Sequence, residues 1–73
     1  MIWIIGGTVE ARQLASRLDG KRDFIVTVAT DSGAELLNGI QAVVGRMDQR
    51  GMAVFIKKNA IDTIVDMSHP YAS

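Results

Sequence analysis

Four short β-prone apolar runs recur about every 20 residues along this chain with helix-forming stretches between them, and that rhythm constrains the fold more than any other feature. Runs this far apart do not suit tight hairpins; they suit parallel strands joined by helical crossovers. The first, at 2–5, reads Ile-Trp-Ile-Ile and is apolar at every position, as a central strand covered on both faces must be. Gly6 and Gly7 end it. From Val9 onward Ala11, Leu14, Ala15 and Leu18 recur at steps of three and four, so they share one face of a helix that Asp19 and Gly20 stop. Phe24 to Ala29 reads as a second buried strand, rich in β-branched residues. Thr30-Asp31-Ser32-Gly33 then supplies turn and N-cap chemistry for a short helix through Leu37, closed by Asn38 and Gly39. A third strand is expected at about Ile40 to Val44. Gly45-Arg46-Met47-Asp48 leads into a helix carrying Met52, Phe55 and Ile56, and Ile61 to Met67 forms a fourth strand.

Four strands alternating with three helices make the opening of an α/β, Rossmann-like doubly wound parallel sheet. The expectation is an incomplete one, because such dinucleotide domains usually use six strands built as two halves. Residues 1–73 are therefore expected to be the amino-terminal part of a longer protein, with at least one sheet edge lacking its neighbour. An unpaired parallel edge invites self-association of the 73-residue chain, by dimerisation or aggregation.

Composition excludes several classes. Eight basic and eight acidic side chains cancel without forming blocks, so the electrostatic footprint of a nucleic-acid or membrane binder is missing, and small-molecule partners are expected. No apolar run is long enough to span a bilayer. Met1 enters the first strand without a basic leader, which reads as a cytoplasmic protein without a signal peptide. With no cysteine and one histidine, a metal centre is not expected.

Gly6-Gly7-Thr8-Val9-Glu10-Ala11 occupies the strand-to-helix turn where backbone amides can approach a pyrophosphate. Against the pattern G-x-G-x-x-[GA], Gly6 and Ala11 match and Thr8 replaces the middle glycine. Its hydroxyl could cap the helix or bond a phosphate oxygen, whereas Glu10 would repel a phosphate if it pointed inward. The alternative is a tight turn without a ligand. At the end of the second strand, Thr30 and Asp31 lie where a carboxylate accepts from adenosine ribose hydroxyls, which would favour NADH over NADPH. The structural alternative is that Asp31 or Ser32 caps the next helix. Arg46, at the end of the third strand, could stack on adenine or meet a phosphate, or be simply solvated. Ser68-His69-Pro70-Tyr71 leaves the fourth strand, beside the first if the strand order is 3-2-1-4. There His69 could orient a cofactor or donate a proton, or hold only a structural or solvated place, and Tyr71 could pack under the cofactor or cover the strand ends.

Taken together, residues 4–12, 28–37, 44–48 and 61–72 resemble one family. Its most particular segment is Asp66-Met67-Ser68-His69-Pro70-Tyr71-Ala72, and the chain looks like the amino-terminal part of the precorrin-6A/cobalt-precorrin-6A reductases. The resemblance runs end to end over this chain and covers about a third of a typical member. It implies hydride transfer from NAD(P)H, with NADH slightly favoured, to a double bond of the corrin precursor macrocycle. By the same analogy Gly6, Gly7 and Thr8 hold the pyrophosphate, Thr30 and Asp31 lie near the adenosine, and Ser68, His69 and Pro70 border the nicotinamide. The Thr30-to-Leu37 phrasing looks more like the cobalt-dependent branch. The isolated chain is expected to have no reductase turnover, because the remainder of the enzyme is absent. Two other classes compete: a regulatory module sensing NAD(H) or an adenine nucleotide, which has no need of His69, and a receiver-like interaction domain. The latter lacks the acidic cluster it needs at the end of the first strand.

Overall fold

In the computed structural model, described over residues 1–35, 37 and 39–68, the central strand is β1 (Ile2–Ile5). It pairs in parallel with β2 (Phe24–Val28) on one side and β4 (Thr63–Asp66) on the other, and β3 (Ala42–Val44) lies outside β2. The sheet order is β3-β2-β1-β4, so the topological switch point falls between β1 and β4, as the sequence spacing suggested. Helices α1 (Val9–Leu18), α2 (Asp31–Glu35) and α3 (Gln49–Lys58) make the crossovers.

Side-chain alternation along β1 divides the molecule into two layers of packing. Ile4 points to the side of α1 and α2, where it is fully buried with Ala11, Ala15, Val26, Val28 and Leu37. The small alanines of α1 let that helix lie close to the sheet. Trp3 points the other way, where its ring meets Phe55 of α3 at 4.7 Å between centroids and its indole N–H donates to Thr27 Oγ1 at 2.8 Å. Thr27 is a buried polar residue, and this bond satisfies it.

The expected elements are all present, with shorter ends. The short helix stops at Glu35, and Leu37 enters the core from the following turn, where its N–H donates to Ala34 O at 3.1 Å. Ile40 is held in that same turn by a bond to Leu37 O, so pairing of β3 begins only at Ala42, opposite Val26. Ile61 belongs to the exit from α3, because its N–H returns to Ile56 O at 3.0 Å, whereas the Asp62 N–H already donates to Met1 O, just before β1, at 3.1 Å. Neither Asp31 nor Ser32 caps α2. Thr30 does, its Oγ1 accepting from Gly33 N–H at 3.3 Å, while Asp31 is the first helical residue.

Candidate functional site

The carboxyl ends of β1, β2 and β4 meet at one rim, and two clefts open there. The larger, about 600 Å³, lies toward α1 and α2 and is lined by Gly6, Gly7, Thr30, Gly33, Glu35 and Ser68, among others. The smaller, about 260 Å³, lies toward α3 and is lined by Trp3, Val28, Gly45, Arg46, Met47 and Met52. Gly6, Ala29 and Ser68 border both. A still larger depression of about 730 Å³ sits at the opposite rim, between the Asp19–Phe24 turn and the Gly39–Gln41 segment. Its charged residues Asp19, Lys21, Arg22 and Asp23 are all exposed, and ligands of open α/β sheets bind at the carboxyl ends instead.

The glycine turn is a cradle that side chains would fill. A Cβ on Gly6 would come within 3.1 Å of Val26 Cγ1, and one on Gly33 within 3.1 Å of Val28 Cβ and 3.5 Å of Gly7 Cα. Gly33 therefore lets the start of α2 close against the turn after β1. Gly7 is required for another reason: its φ of +122° is a conformation that L side chains rarely adopt, although a Cβ there would meet open space. The residues thus fit a pyrophosphate held by backbone, with the first-turn amides of α1 unpaired within the helix as at any helix start.

Thr8 occupies the position of the missing middle glycine and ties this rim together. Its backbone is extended, its Oγ accepts from Ala11 N–H at 3.2 Å, and its hydroxyl hydrogen goes to Met67 O at 2.8 Å, just past the end of β4. The hydroxyl is thus both the cap of α1 and a clasp across the switch point, and its hydrogen is already spent. Beyond Met67, Asp66 Oδ1 accepts from the Ser68 backbone N–H at 3.0 Å and from its hydroxyl at 2.7 Å.

Of the residues expected at the site, Gly6, Gly7, Thr30 and Ser68 line the larger cleft and Arg46 the smaller. Asp31 lines neither; the carboxylate that does is Glu35, one helical turn further along. His69, Pro70 and Tyr71 lie outside the described residues. Gly33 and Glu35 were not singled out from the sequence, and Asp66 entered only as the first residue of the family-like segment. Glu35 had a signal, the four-residue step from Asp31 that puts both on one side of a helix. Gly33 depends on a contact between elements, which spacing does not reveal, whereas Asp66 bonds Ser68 two residues on, a local turn that an Asp-x-Ser spacing allows. Among the described residues, no group of three or more side chains could hold a metal ion, and no helix is long and apolar enough to cross a membrane.

Comparison with known proteins agrees with the resemblance in the motifs. The chain is 35% identical over 74 residues to the cobalt-precorrin-6A reductase of Salmonella typhimurium, 97% of this chain against 28% of that protein. It is 36% identical over 76 residues to the cobalt-precorrin-6A reductase of Synechocystis sp., covering 99% and 29%, and 33% identical over 75 residues to the precorrin-6A reductase of Sinorhizobium sp., again 99% and 29%. The chain therefore spans less than a third of the length of these curated relatives. No solved structure gives a significant match. The family described as precorrin-6x reductase CbiJ/CobK matches residues 1–73 without a break, and the chain belongs to that family.

Proposed function

We propose that these residues are the amino-terminal, dinucleotide-binding part of a longer precorrin-6A or cobalt-precorrin-6A reductase. The observation that carries the reading is the glycine cradle at the switch point, found in a chain whose family is one of reductases. A reduced nicotinamide supplies the hydride to a double bond of the macrocycle, and a proton from solvent or a protein acid completes the addition. The chain's own contribution is to bind and orient. Gly6, Gly7 and the backbone of Thr8 take the pyrophosphate. Thr30 at the β2 end, with Glu35 further along α2 in place of Asp31, takes the adenosine ribose, and Arg46 with Met47 and Met52 offers the apolar slot for adenine. Ser68, with His69 and Pro70 after it, borders the nicotinamide, where His69 orients the ring or donates the proton and Tyr71 meets the substrate. A carboxylate residue in that cleft wall, Glu35, favours a free 2'-hydroxyl, hence NADH.

Holding donor and acceptor carbons at close range is the larger part of such catalysis, which makes cofactor placement the function of this segment. The test is a titration of the full-length protein with NADH and NADPH, followed by oxidation of the bound dinucleotide in the presence of precorrin-6A or cobalt-precorrin-6A. Saturable binding and macrocycle-dependent oxidation are expected. Binding without oxidation by either macrocycle would instead identify a nucleotide-sensing module.

A further inference from the structure

We infer that Asp66 is a positioning residue that fixes Ser68 as a hydrogen-bond acceptor at the junction of the two clefts. This rim then selects a donor group of the bound dinucleotide, a ribose hydroxyl or a carboxamide N–H, over a phosphate oxygen. The inference rests on the dinucleotide reading and adds a polarity to it. A serine hydroxyl has one hydrogen to give, and that of Ser68 is given to the Asp66 carboxylate at 2.7 Å, the length of a charge-assisted bond. A second bond to the same oxygen, from the Ser68 backbone N–H at 3.0 Å, holds the residue in a closed turn and removes that donor as well.

Ser68 is half-buried and borders both clefts, so the group it presents to them is a lone pair. The hydroxyl of Thr8, which lines neither cleft, gives its hydrogen to Met67 O and accepts from Ala11 N–H, so it offers no competing donor there. Glu35 adds a carboxylate to the wall of the larger cleft. On the β4 side the rim therefore presents the Ser68 acceptor, while the donors suited to a phosphate are the amides of the glycine turn. A dinucleotide satisfies both, its pyrophosphate on the turn and a hydroxyl or amide donor toward Ser68. A phosphate placed at Ser68 would meet acceptors facing acceptors.

The experiment measures dissociation constants on the full-length protein by fluorescence titration of the reduced dinucleotide. The comparison ligands are its 3-acetylpyridine counterpart, which lacks the carboxamide N–H, a deoxyribose counterpart, and inorganic pyrophosphate as competitor. Asp66→Ala is expected to weaken the dinucleotide about tenfold and to leave pyrophosphate within about twofold, with Asp66→Asn, which keeps an acceptor oxygen, recovering most of the loss. Ser68→Ala, which removes only one hydroxyl and carries the test if Asp66→Ala does not fold, should erase the discrimination against one of the two donor-deficient analogues. Which analogue loses its penalty identifies the donor. Unchanged discrimination in Ser68→Ala, or pyrophosphate weakened in parallel with the dinucleotide in Asp66→Ala, overturns the inference while leaving dinucleotide binding intact. A wild-type protein that binds pyrophosphate but no reduced dinucleotide removes the reading beneath it.

Discussion

The two faces of the sheet are built to different standards. Toward α1 and α2, Ile4, Ala11 and Ala15 have no accessible surface, and Val26, Val28 and Leu37 have almost none. Toward α3, no residue of the helix is buried, Val54 is 63% exposed and Ile64, which shares the face of Trp3, is 47% exposed, while the edge strand β3 is open on both faces, with Val43 48% and Val44 45% exposed. What secures that second face is one aromatic pair and one buried hydrogen bond, Trp3 with Phe55 and Trp3 with Thr27. The first face holds the buried cluster, and it is the face on which the glycine cradle rests. A cradle defined by 3.1 Å approaches to Val26 and Val28 needs valines that cannot yield.

Substitutions should respect that contrast. The largest effect is expected from Ile4→Ala, about 3 kcal/mol of lost stability in urea unfolding of the full-length protein, against under about 1 kcal/mol for Ile64→Ala on the other face. Equal losses would mean that the α3 face is as well packed as the first. Trp3→Phe should cost about 2 kcal/mol because it strands the Thr27 hydroxyl, and adding Thr27→Val should restore part of it. A double-mutant cycle with no coupling would remove the buried bond from the account.

Gly33→Ala pits a better helix former against a Cβ 3.1 Å from Val28 Cβ, and the contact should win by about 1 kcal/mol. Weaker dinucleotide binding should accompany it, since the same Cβ would lie 3.5 Å from Gly7 Cα; a stabilised protein with unchanged affinity would show that α2 can slide. Thr8→Val, which loses both the cap and the clasp to Met67, should cost about 1 kcal/mol, with Thr8→Ser close to wild type in a thermal melt. The smallest effect belongs to the exposed face: Val54→Lys should stay within about 0.5 kcal/mol.

Element order and the switch point were legible in the sequence because they follow from periodicity, and periodicity is local. Val9 to Leu18 could be read as a helix from four apolar residues and a stop at Gly20, and it is one. The ends were less legible where a neighbouring element decides them. Residues 40 and 41 lie outside β3 because pairing with β2 begins at Val26, and Ile61 lies outside β4 because α3 keeps its amide.

At the site the same division holds. Sequence alone determined where the glycine turn lies and which glycines and threonines lie at the strand ends, since these are matters of order along the chain. Only the tertiary structure decided that Thr30 and not Asp31 caps α2, that Glu35 rather than Asp31 lines the cleft, and that Thr8 has spent its hydrogen on Met67. The physical reason is that a hydroxyl's role depends on the partner within about 3 Å. For Thr8 that partner is Met67, distant in the chain and brought alongside by the pairing of β1 with β4.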